Sequence, residues 1–189
     1  VDRSPVFVVT GQLAAGKSTL ARSVLDRFPF GLHVDTDAIR EMVTSGLAGP
    51  LEWTDETTRQ FDLAIAGSVA LSATYHAAGF AVAIEGAIDP AIVQRRLAEA
   101  GLADVLVGVV LHPSADVARR RNRERTNKPF DPSILDEVIV QLDADLARDE
   151  LPAGWTRIDN GREDVDATVD RLLAIVRERG LGPAPEPPA

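Results

Sequence analysis

The sequence predicts an α/β protein: a parallel sheet with helices packed on both faces. Three observations carry that expectation. Short apolar, β-branched runs alternate with longer segments of helical periodicity along the chain. The runs are apolar nearly throughout rather than every second residue, as in strands covered on both faces. The first run leads directly into a glycine-rich turn that opens a helix, an arrangement that serves to hold an anion. With 189 residues and 45% hydrophobic content, one compact domain over residues 1–181 is expected.

The elements follow in order. PVFVVT (5–10) reads as a buried strand bounded by Pro and Gly, and a helix follows over 17–28. GLHVD (31–35) is a second strand and 36–45 a short helix. A long helical stretch covers 55–78, with Thr54 or Asp55 as its N-cap. FAVAIEG (80–86) is a third strand, and 90–100 a helix with Pro90 in its first turn. A fourth strand lies within 103–113, and an arginine-rich helix covers 114–125. Residues 133–149 form a helix with Asp131 or Ser133 near its cap. GWTRIDN (154–160) is a fifth strand, 164–179 the last helix, and the Pro-rich 182–189 a disordered tail. Right-handed crossovers put the C-terminal ends of parallel strands on one edge, where open α/β sheets bind ligands. The residues to weigh are therefore 11–19, 35–40, 85–89, 112–125 and 160–162.

Composition removes several classes. There is no cysteine, which excludes disulfides, thiolate nucleophiles and cysteine-based zinc sites. His33, His76 and His112 are scattered, and a metal site made of them is not expected. A net charge of −9 argues against a general nucleic-acid binder, whose affinity comes largely from neutralising phosphates. No apolar run reaches the roughly 18 residues that span a bilayer, and no charged-then-apolar leader is seen, so a cytoplasmic protein is expected. The only methionine is Met42, so the numbering is expected to start inside a longer or processed chain.

Gly11-Gln12-Leu13-Ala14-Ala15-Gly16-Lys17-Ser18 fits G-x-x-x-x-G-K-[ST], the P-loop, in its required strand–loop–helix context. Backbone N–H groups must converge on phosphate oxygens, which needs turns that side chains obstruct. Gly11 and Gly16 supply them, and Ala14 and Ala15 keep the backbone close to the ligand. The helix behind the loop points its positive end at the same anion. Lys17 adds a point charge for the β- and γ-phosphates of ATP, Ser18 a hydroxyl ligand for Mg²⁺, and Thr19 a hydroxyl or plain packing.

A P-loop alone does not separate switches, motors and kinases. At the next strand end stand Asp35, Asp37 and Arg40. Asp37 is expected to cap the short helix and to face the γ-phosphate from the acceptor side, where it can take the proton of an attacking hydroxyl. Arg40, one turn on, can orient the acceptor. Asp35 is open between holding Mg²⁺ through water, binding substrate and capping the helix. Five arginines fall within Arg119–Arg125 after the fourth strand. Such a cluster can stabilise a moving phosphoryl group; the bland alternative is a solvated helix with Asp116 pairing Arg120.

GQLAAGKSTLAR, DTDAIREM and RRRNRERTNKPFDPSILDEV, in that order, resemble the P-loop kinases grouped with chloramphenicol phosphotransferase, zeta-toxin kinases and the 5′-hydroxyl kinase domain of polynucleotide kinase. The resemblance runs from about Val6 to Asn160. It implies a P-loop kinase-like three-layer sandwich with strand order 2-3-1-4-5 and an arginine-rich lid over about 114–132. It also implies Asp37 as general base, Arg40 as a substrate-side arginine, and Arg121 and Arg125 as lid arginines in R-N-x-x-R. An adenine contact near Asn160 and Gly161 follows in the same way. The chain departs from the pattern in having no clear Walker-B aspartate. Glu85 stands at that edge instead, open between a metal-sphere or substrate contact and a capping or surface acid. Thr126-Asn127-Lys128-Pro129 is not the guanine-reading N-K-x-D, because Phe130 stands where the aspartate belongs.

The expected function is transfer of the γ-phosphate of ATP, with Mg²⁺, to a hydroxyl of a small molecule such as an antibiotic or other secondary metabolite. A polynucleotide or nucleoside 5′-kinase, or a nucleotide-binding regulatory module with slow hydrolysis, stands as the alternative. Asp35, Asp37, Arg40, Trp53 and Glu85 are the expected acceptor-side residues. Trp53, Phe61 and Trp155 are the aromatic candidates for lining the acceptor cavity.

Overall fold

The computed structural model describes residues 3–49, 53–124 and 131–182. The five apolar runs become β1 (Val6–Gly11), β2 (Gly31–Asp35), β3 (Ala81–Glu85), β4 (Leu106–Leu111) and β5 (Trp155–Ile158). All neighbouring pairs are parallel, in the order β2-β3-β1-β4-β5. β1 and β4 lie inside the sheet, and every apolar residue of both is buried. That explains why their runs show no alternation: both faces are covered. Each such Val, Leu or Phe contributes roughly 1.5–3 kcal/mol by leaving water.

The connecting segments are α1 (Lys17–Leu25), α2 (Thr36–Glu41), α3 (Asp55–His76), α4 (Pro90–Glu99), α5 (Ala115–Arg123), α6 (Asp136–Arg148) and α7 (Val165–Glu178). α1 and α7 pack side by side on the sheet, and α3 and α4 form a second pair. The result is the three-layer sandwich, with α5 and α6 packed together beyond β4.

Helix ends follow local chemistry. Thr54 caps α3 through a reciprocal pair with Thr57, and Asp89 and Asp164 cap α4 and α7. α1 stops at Leu25 rather than 28, shortly before Pro29, which disfavours helical geometry in the residue it follows. α2 stops at Glu41 rather than 45, where β-branched Val43 and Thr44 precede Gly46. α6 begins at Asp136 behind a 3-10 turn, Pro132–Leu135, and its N-cap is Leu135, so neither Asp131 nor Ser133 holds that position. Among the described residues no helix is long and apolar enough to cross a membrane.

Trp155 lies far from its expected place in an acceptor cavity. It opens β5 at the sheet edge, is 9% exposed, and donates from Nε1 to Gln94 Oε1 at 2.6 Å. Its ring lies over Gly108 of the neighbouring strand, where a Cβ would stand 2.2 Å from the indole. Gly108→Ala is therefore expected to displace the ring and destabilise the fold by about 1–3 kcal/mol. Chemical denaturation followed by tryptophan emission would check it; unchanged stability would mean that the indole is not packed on Gly108.

Candidate active site

β1 ends at the centre of the edge where parallel strands of this order present their C-termini, and the P-loop hangs from it. Gly11 has φ +117°, and a Cβ there would stand 2.2 Å from the carbonyl oxygen of Leu111. Only glycine lets β1 stay paired with β4 to its last residue and then turn. Gly16, at φ +90°, is the N-cap of α1, and nothing lies within 4 Å of where its Cβ would be. That open space lies beside the positive end of α1, as an anion site requires. Ala14 also has a positive φ, +55°, which an alanine adopts only at a cost in strain.

The loop is held from three directions. Gln12 is wholly buried; its Nε2 donates to the carbonyl of Ile139 in α6 at 3.0 Å, and its Oε1 accepts from Leu13 N at 2.8 Å. Asn160, just past β5, donates from Nδ2 to the Ala15 carbonyl at 2.7 Å. Arg121 of α5 donates to the Asn160 carbonyl at 2.9 Å and to the Ala15 carbonyl at 3.5 Å. Lys17 Nζ donates to the carbonyls of Gly11 and Gln12 at 3.2 and 3.0 Å. A pocket of about 260 Å³ opens here, lined by Gly16, Thr19, Leu20, Arg121, Asn160 and Val165 among others.

The three carboxylates expected on the acceptor side have three different environments. Asp35, not Asp37, caps α2: its Oδ1 accepts from Asp37 N at 2.9 Å and Ala38 N at 3.3 Å. The correction comes from the helix boundary. Thr36 is the first helical residue, so the cap falls one residue before it. Asp37 therefore stands inside the first turn with its carboxylate outside the cap. It is exposed, but surrounding protein displaces water, and this desolvation, with the charge of Asp35 next, raises its pKa against the opposing pull of Arg40 and Lys17.

Glu85 is buried at the end of β3, level with Val9 on one side and Asp35 on the other. It is therefore not a surface acid. Burial would raise its pKa, but His33, Ser18 and the charge of Lys17 outweigh that and hold it below the ordinary value. His33 Nε2 lies 3.5 Å from Glu85 Oε1, long for a hydrogen bond but close enough to be its nearest polar partner on that side. Ser18 and Glu85 thus stand together behind the P-loop.

Arg40 is buried rather than a surface cation. Its Nη1 donates to the Ala48 carbonyl at 2.8 Å, and its guanidinium lies 4.8 Å from the ring centre of Phe61. Trp53 stacks on Phe61 at 5.1 Å between ring centres and donates from Nε1 to Thr58 Oγ1 at 2.9 Å.

Of the arginine cluster, Arg121 reaches the P-loop. Arg123 pairs with Asp136 of α6, and Arg119 lies 4.0 Å from Asp116, so the expected Asp116–Arg120 pair is not the one formed. Arg125 lies outside the described residues, as do 126–130 and 183–189. Gln12 and His33 were not singled out from sequence. Gln12 occupies a variable position of the motif, and nothing local shows that α6 would cover it. His33 shares a strand face with Asp35 by the two-residue period, which was its only signal.

Comparison with known proteins agrees with this geometry. No curated protein sequence matches. Among solved structures, the fold is similar to a sugar kinase from Janibacter, with TM-score 0.67, 18% identity and coverage of 92% of this chain and 95% of that one. It is also similar to shikimate kinase from Bacteroides thetaiotaomicron, with TM-score 0.64, 21% identity and coverage of 92% and 98%. The tunicamycin resistance protein of Deinococcus radiodurans gives TM-score 0.62 and 18% identity, covering 97% and 99%. These likenesses establish a P-loop kinase-like fold. Residues 6–152, which carry the P-loop, the acceptor-side carboxylates and the arginine helix, match the AAA domain family, and the chain belongs to that family.

Proposed function

We propose that this chain is an ATP-dependent phosphotransferase that moves the γ-phosphate to a hydroxyl of a small molecule, with Asp37 as the general base. The observation that carries the reading is the division of labour between two neighbouring aspartates. Asp35 is consumed by capping α2, which leaves Asp37 exposed beside it with a raised pKa, inside the field of Lys17. A base works best when its pKa lies nearer the working pH than an ordinary carboxylate does.

In the proposed reaction the acceptor hydroxyl gives its proton to Asp37, and its oxygen attacks the γ-phosphorus. The bond from that phosphorus to the bridging oxygen breaks, and ADP leaves with the electron pair. Lys17, Arg121 and the N–H groups of the loop and α1 hold the phosphate oxygens. The nucleoside side is assigned to the pocket beside Asn160 and Thr19. The residues also fit magnesium, which when bound neutralises phosphate charge. Ser18 and Glu85 offer hard oxygen donors of the kind that hold magnesium beside phosphates and water. Residues 1–181 would act as one domain, with about 114–132 as its lid. The similar folds include a sugar kinase and a tunicamycin resistance protein, so sugars and hydroxylated antibiotics belong in the acceptor screen.

Lys17→Ala is expected to abolish acceptor-dependent ADP release while circular dichroism stays unchanged; near-native turnover would remove the P-loop from the chemistry. Asp37→Asn should retain ATP affinity and lose ~10²-fold or more in kcat. The native kcat/KM should rise with pH along an acid limb centred above the ordinary carboxylate value of about 4, and Asp37→Asn should lack that limb. Stability should move the other way. The folded state holds this proton more tightly than the unfolded chain does. The contribution of the group to stability is thus complete below the ordinary pKa and lost as pH rises through the raised one. Asp37→Asn should therefore melt slightly higher than the native sequence at neutral pH, and a lower Tm would show that the carboxylate is stabilising.

A further inference from the structure

An apolar surface starts where the helix carrying Asp37 ends. Met42 is 69% exposed and Trp53 63%, with Val43 and Leu47 also open to solvent, all within the connection from α2 to α3. Side chains of this kind are normally withdrawn from water, and several of them exposed along one connection point to a contact surface. Here the indole is also held in place. Phe61 supports it by stacking with 23° between the ring planes, and its Nε1 is occupied by Thr58. Its polar atom is spent within the protein while much of its ring surface is left to solvent. The platform is linked to the proposed base through one residue: Arg40, whose charge acts on Asp37, lies over the same Phe61 ring that carries Trp53.

Charge on this side narrows the ligand further. Asp35, Asp37 and Glu41 lie along α2 or at its start, and Asp55 and Glu56 open α3. Arg59 is engaged by Glu56 at 2.8 Å. Arg40 is only 8% exposed, with its guanidinium committed to Ala48 and Phe61. A carboxylate-bearing acceptor would enter a negative field in which Arg40 is buried and Arg59 is already paired with Glu56. A flat apolar ring would gain the indole face without meeting that repulsion.

We infer that the acceptor is an alcohol carrying a flat apolar ring and no acidic group, with its ring stacked on Trp53 and its hydroxyl directed to Asp37. This rests on the phosphotransferase reading above and names the substrate class of that same site.

The test titrates 2-phenylethanol and tyrosol, and separately gluconate and shikimate, into the full chain with Mg²⁺ and nucleotide. Tryptophan emission and ADP release are followed together. Trp155 is buried and supplies a constant background, so changes report Trp53. The ring alcohols are expected to change the emission and to drive ADP release, and the two acids to do neither. Trp53→Ala should raise KM for the ring alcohols about tenfold with kcat little changed, and Trp53→Phe should restore most of the loss. The inference is overturned if the acids saturate the enzyme and the ring alcohols do not, if no ring alcohol changes the emission, or if Trp53→Ala leaves KM unchanged. Emission changes without ADP release from any compound would uphold the ring subsite and count against the phosphotransferase reading instead. ADP release with the acids alone would do the reverse.

Discussion

The absence of a side chain at Gly11 is the constraint from which the site grows. Its Cα passes so close to the Leu111 backbone that a methyl group would overlap the carbonyl oxygen. Because that space is closed, β1 and β4 stay paired to their last residues, and Gln12 N then takes the Leu111 carbonyl at 2.8 Å. The loop that follows is thus registered to the sheet by backbone hydrogen bonds before any side chain acts. Gln12, Asn160 and Arg121 then tie it to α6, β5 and α5. A phosphate cradle needs such rigidity, since its donors gain most when they are already oriented. The positive φ of Ala14 shows that some strain is tolerated to obtain it.

Two carboxylates near this loop are driven in opposite directions by their surroundings. Glu85 is the more deeply buried, yet its neighbours are a histidine, a hydroxyl and the Lys17 ammonium, and its charge is favoured. Asp37 is the more open, yet desolvation by the surrounding protein, with the charge of Asp35 next, disfavours its charge against the pull of Arg40 and Lys17. The balance of desolvation against partners decides the sign. Pairs of titratable groups with diverging environments are what acid–base chemistry requires. Asp35 and Asp37, two residues apart, are set apart because a helix has one N-cap and two of the N–H groups of α2 claim Asp35.

Arg40 shows how the same fold removes a charge from solvent. Its guanidinium is shared between a backbone carbonyl and an aromatic face, the two partners that make a buried arginine tolerable. In doing so it fastens α2 to the connection before α3 and supports the ring on which Trp53 lies. Positioning of the acceptor side and stability of the α2–α3 corner are therefore one interaction. The strand edge behaves similarly at Trp155, where a missing Cβ at Gly108 makes room for an indole that closes the sheet.

The kind and order of elements, and the P-loop, were legible because they depend on neighbours in the chain. Hydrophobic period, Gly and Pro punctuation, and a contiguous eight-residue motif survive without knowledge of the fold. Helix ends were less legible: α1 and α2 stop short of their expected ends, and the cap of α2 is Asp35 rather than Asp37 although the helix starts at Thr36 as expected. What only the tertiary structure decided was the company each side chain keeps. Gln12 is anchored by a residue 127 positions away, Asn160 by one 145 away, and Trp155 is taken into the sheet while Trp53 is left on the surface. The sequence by itself determined that a phosphate-binding loop would follow the first strand. Which carboxylates surround it, and with what charge, follows from strand order, because β3 lies between β2 and β1 and so brings Glu85 level with both Val9 and Asp35.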